Sequence, residues 1–64
     1  MDDRQELLET LRKEHRELDR KIDELTQRPF LLPDEEVDVR RMKKQKLAKK
    51  DQIVRLEREL ASSH

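Results

Sequence analysis

Two stretches of this chain carry the same apolar rhythm, and the residues Arg28-Pro29-Phe30-Leu31-Leu32-Pro33 break it. Before the break, Leu8, Leu11, His15, Leu18, Ile22 and Leu25 alternate steps of three and four; after it, Val39, Met42, Lys46, Lys49, Ile53, Leu56 and Leu60 do the same. This spacing lines one face of an α-helix and is the a/d seam of helices that pack side by side. A residue before proline is pushed out of helical geometry, and proline cannot donate to the turn behind it, so the first helix has to end at Arg28-Pro29. A connector this short returns the chain on itself. The sequence therefore predicts an all-α fold, an antiparallel two-helix hairpin that is coiled-coil-like. Its parts would be a helix over about residues 3–28, a connector over 29–33, a second helix over about 34–61 and a frayed tail over 62–64.

The chain has 64 residues, which is room for one domain. At this size a single core seldom supplies more than about 3–5 kcal/mol unless disulfides, a metal or self-association add to it. Half the residues are charged and 31% are hydrophobic, a balance that on its own resembles disorder. High net charge, the other half of the disorder signature, is missing, because 16 acids offset 16 bases. Order then rests on the spacing of the apolar residues. One stripe per helix leaves Leu7, Leu47 and Val54 beside the seam, where a second protomer can cover them, so the hairpin is expected to assemble into a dimeric helical bundle. There is no cysteine, which excludes a disulfide scaffold and suits a reducing compartment. Met1-Asp2-Asp3 opens acidic, with no apolar stretch behind it of the length a signal peptide or membrane span needs. A soluble, cytoplasmic protein is the expectation.

Opposite charges four apart on the first helix, Glu9–Lys13, Glu17–Lys21 and Arg20–Glu24, each add a few tenths of a kcal/mol. The second helix is expected to start at Asp34, whose carboxylate can accept from the exposed amides of the first turn, with Glu35, Glu36 and Asp38 facing the positive end of the helix dipole. Its seam is apolar only at its ends. Folding the chain about Leu31 brings His15 level with Lys46, Leu47 and Lys49, which makes a polar layer at the centre. Buried ammonium groups are costly unless paired, so the lysine stems should lie along the seam and their heads reach Glu14, Glu17 or water.

The run His15-Arg16-Glu17-Leu18-Asp19-Arg20-Lys21-Ile22-Asp23-Glu24-Leu25 is followed by Pro33-Asp34-Glu35-Glu36, Met42-Lys43-Lys44-Gln45-Lys46-Leu47 and Lys50-Asp51-Gln52-Ile53. Together these resemble the small bacterial YdcH-like proteins, a family of unknown function. The family's pattern runs His-x-x-Leu-Asp-x-x-Ile, a Thr-Pro-Asp-Glu-Glu connector, and Leu-Lys-Lys-x-Lys-Leu-x-Leu-Lys-Asp-x-Ile. This sequence departs from it at Leu32, where the capping threonine would stand, and at Lys49, where a leucine would stand. The resemblance implies a bacterial cytoplasmic helical hairpin and transfers no activity.

Three features can carry function. The stretch from Arg40 to Lys50 holds Arg40, Arg41, Lys43, Lys44, Lys46, Lys49 and Lys50 and no acid, upstream of a leucine-spaced tail. It imitates the basic region and zipper of a DNA-binding dimer only poorly, because no asparagine is placed to read a base edge and the first helix would be left without a partner. A solvated, salt-bridged face is the preferred reading, with nucleic-acid or anionic-surface binding as the alternative. His15 sits on the seam as a packing residue; with only Glu14 and Asp19 near it and no Glu-x-x-His repeat, no metal and no cofactor are expected. No nucleophile, acid–base pair or glycine-rich loop supports catalysis, so the chain is read as a non-enzyme. The connector residues Phe30, Leu31 and Leu32 are read first as a cover for the open end of the hairpin and second as a docking tip. The function expected is that of a non-catalytic interaction module. Its partners are a second copy and an unidentified protein.

Overall fold

The computed structural model describes residues 3–62 and consists of two helices, α1 (Asp3–Thr26) and α2 (Pro33–Ser62). They run antiparallel: Arg4 of α1 meets Glu59 near the end of α2 at 4.0 Å, and Arg28 meets Glu35 across the connector. The rod measures 49 × 16 × 14 Å. Among the described residues there is no strand.

The first helix ends two residues before the expected position at Arg28. The Gln27 amide still donates to the Asp23 carbonyl at 3.0 Å, but the Arg28 amide turns to Leu25, three residues back, at 3.3 Å. Thr26 sends its hydroxyl back to the Ile22 carbonyl at 2.8 Å, a bond that competes with continuation of the helix. The chain has no glycine and no described residue has positive φ, so the usual left-handed cap is not used. Tightening of the last turn followed by Pro29 ends the helix instead.

The second helix starts at Pro33, one residue ahead of the expected Asp34. Proline at the first helical position gives up only an N–H that would have had no helical partner, and its fixed φ suits the helix. Leu32 occupies the capping position: its carbonyl accepts from the Glu36 amide at 2.9 Å, and its own amide donates to the Glu35 carboxylate at 3.1 Å. This is half of a capping box, the half that leucine leaves possible. Glu35 also holds Arg28, so one carboxylate both starts α2 and ties the connector to it. At the far end Ser62, expected in the frayed tail, is helical, with its hydroxyl donating to the Arg58 carbonyl at 2.6 Å. The rest of that tail, residues 63 and 64, lies outside the described residues.

The interface between the helices is thin. Leu8, Leu11, Ile22 and Val39 are buried, and Leu18, Leu25, Met42, Ile53, Leu56 and Leu60 are half-buried. Among the described residues none is completely enclosed. The molecule exposes 5430 Å². A compact monomer of 7.9 kDa would expose about 4,400 Å² by the usual scaling of area with mass. The difference, about 1,000 Å², is surface that a two-helix rod has no third element to cover.

Candidate functional site

At the middle of the hairpin the seam changes from apolar to charged. His15, Lys46 and Lys49 are all half-buried there. The Lys49 ammonium reaches Glu14 at 2.8 Å, and Lys46 is bonded to Asp19 rather than to Glu14 or Glu17. Glu14 and Asp19 sit on opposite flanks of the α1 seam, one residue before His15 and one after Leu18, so the two lysines leave the seam toward opposite faces. Lys46 lowers the Asp19 carboxyl from the ordinary aspartate value, first through their hydrogen bond and then through its charge; desolvation opposes this, and His15 acts in the same direction as Lys46. Nε2 of His15 is enclosed between the pairs without a hydrogen-bond partner.

The two faces of the rod differ. On one, Glu14, Glu17, Leu18, Lys21, Gln45, Ala48, Lys49 and Gln52 line an open groove of about 420 Å³. Farther along the same side, Leu7 lies with Leu11, Gln52, Arg55 and Leu56. On the other face a second open groove of about 450 Å³ is bordered by His15, Asp19, Ile22, Lys43, Lys46, Leu47 and Lys50, and Val54 continues it beside Ile53 and Glu57. Leu7 is therefore on the opposite side from Leu47 and Val54, and a single contact can cover one set but not both. All three are exposed, Leu47 most at 62%.

The connector does not cover the open end of the hairpin. Phe30 is 77% exposed and Leu32 59%, with Val37 exposed near them; Leu31 alone is half-buried. Two prolines bracket these residues and the Arg28–Glu35 pair spans them.

Of the seven cations between Arg40 and Lys50, α1 holds Lys46 and Lys49. Arg40, Arg41, Lys43, Lys44 and Lys50 are exposed and form no ion pair with any described acid. Arg55 and Arg58, which the sequence reading did not group with them, are exposed in the same way one to two turns farther on. Their signal was the helical period itself, carried past Asp51. Among the described residues no group of three or more His, Cys, Asp or Glu is arranged to hold a metal, and no helix is long and apolar enough to cross a membrane.

The family model described as "Protein of unknown function (DUF465)" matches residues 8–57, which takes in the seam up to Leu56, the connector and the whole stretch from Arg40 to Lys50. No curated protein and no solved structure matches the chain.

Proposed function

Because the chain belongs to a family of proteins of unknown function (DUF465), consistent with its YdcH-like resemblance, we propose its role from geometry: a non-catalytic interaction module that associates with a second copy of itself. The observation that carries this reading is the exposed area of 5430 Å², about 1,000 Å² above that of a compact monomer. A standard interface covers about 800 Å² per partner, so one dimer contact offsets the excess. The exposed Leu47 and Val54 on one face, or Leu7 on the other, give that contact its apolar centre. The setting proposed is the bacterial cytoplasm, as the resemblance implies. The thermal midpoint should rise with protein concentration, because a partner that binds only the folded chain stabilises it by mass action. A midpoint unchanged from roughly micromolar to roughly millimolar chain would remove the reading.

A second reading, contact with a polyanion, is supported by one specific observation. Among the described residues, Lys46 and Lys49 are the α2 cations that acids of α1 hold, and Arg40, Arg41, Lys43, Lys44, Lys50, Arg55 and Arg58 are exposed.

A further inference from the structure

We infer that the outer half of α2, from Arg40 to Arg58, is a docking surface for duplex nucleic acid, seated in a major groove and indifferent to base sequence. The inference rests on the second reading above and names its partner. At about 100° per residue, Lys43 and Lys50 share one flank of α2, the flank that borders the groove with Asp19 and Leu47. Arg41 and Arg55 share the other, where Arg55 borders Gln52 and Leu56. The two flanks stand about 140–160° apart around the side of the helix that faces away from α1. Arg40, Lys44 and Arg58 lie in the arc between them, together with the exposed Leu47 and Val54. Within that arc the only acid is Asp51, and every one of the seven cations is exposed.

Cations on both flanks of one helix match a particular geometry. A helix with its side chains is about 10–12 Å across, and the major groove of duplex DNA is about 12 Å wide with a phosphate wall on each side. A flat anionic bilayer touches a single stripe and would leave one flank unused. A single strand is gripped by aromatic platforms, and the chain's only aromatic residue, Phe30, is on the connector. Gln45 and Gln52, whose amides could pair bidentately with adenine, line the groove between the helices instead of the outer arc, and the cations on the two flanks are set toward the phosphate walls. Affinity should then come mainly from phosphates and fall steeply with salt.

The test is fluorescence anisotropy of the full chain with a short labelled duplex of mixed sequence, titrated at several salt concentrations. With about four phosphates neutralised, binding should weaken about a hundredfold between roughly 50 and 200 mM salt. Lys43→Gln with Lys50→Gln, and separately Arg41→Gln with Arg55→Gln, should each reduce that dependence to about tenfold. Lys13→Gln with Arg20→Gln, on the outer side of α1, should leave it unchanged. Circular dichroism confirms that each variant keeps its helices, and phosphatidylserine vesicles provide the competing arm. Absence of duplex binding at low salt overturns the inference. So does a salt dependence that only one flank pair alters, or vesicle binding stronger than duplex binding. Sedimentation of the same samples without duplex reports self-association separately: a monomer that binds duplex refutes the dimer and leaves this inference standing.

Discussion

Replacing Lys49 with leucine should make the hairpin more stable, although it removes an ion pair. Lys49 lies in the seam with its side chain 26% exposed, and its partner Glu14 is 43% exposed. Full burial of a leucine is worth about 1.5–3 kcal/mol, so a site about three-quarters covered returns about 1–2 kcal/mol. The lost pair is half in water and contributes about 0–1 kcal/mol. The net gain is about 1 kcal/mol, which for a domain of this size raises the melting temperature by about 4–8 °C. Thermal melts followed by far-ultraviolet circular dichroism, run on both proteins at matched concentration, measure it. A variant that melts at or below the parent would refute the reasoning, because it would mean that Lys49–Glu14 stabilises the seam more than a packed leucine does. The layer would retain a role even so. Lys46–Asp19 and Lys49–Glu14 are both made in one register, and a slip of either helix by a heptad breaks both, which is how a polar position specifies alignment at a cost in stability.

Leu32→Thr should stabilise α2 by about 1 kcal/mol, because Glu35 already accepts from the residue-32 amide and a hydroxyl there supplies the missing half of the capping box; a chemical denaturation midpoint that does not rise would contradict the capping assignment. Asp19 gives a pH dependence whose sign follows from its lowered pKa. The stabilisation is fully present above the ordinary aspartate value of about 3.9 and is lost as pH falls through the lower folded value, so Asp19→Asn should flatten the acid limb of stability against pH, with the parent's advantage confined to higher pH. An Asn variant with the same acid limb as the parent would show that Lys46 does not hold this carboxylate in solution.

The helices and their hairpin arrangement were legible because a period between three and four residues survives in a chain that is half charged. Residues on that period, such as Leu8, Leu11, Ile22 and Val39, are the ones the fold encloses. Helix limits were less legible. Proline reads as a stop, and Pro33 serves as a start because the first helical residue does not need its N–H. The partner of Lys46 was hidden for a different reason: a seam written as a line along the helix does not say toward which flank a lysine leaves it, and Asp19 stands on the flank opposite Glu14. The same missing handedness grouped Leu7 with Leu47 and Val54, which the structure places on opposite faces. The exposure of Phe30 and Leu32 was not legible either, because the spacing marks the connector as apolar without saying which side chains it turns out.

The claim that a second copy completes this fold is tested most directly by sedimentation equilibrium of the full chain, alongside Leu47→Glu and Leu7→Glu variants. At roughly tens of micromolar the parent should sediment as a dimer or larger. One of the two variants should dissociate it and the other should not, since those leucines lie on opposite faces. A parent that is helical, melts cooperatively and sediments as a monomer at that concentration would contradict the account.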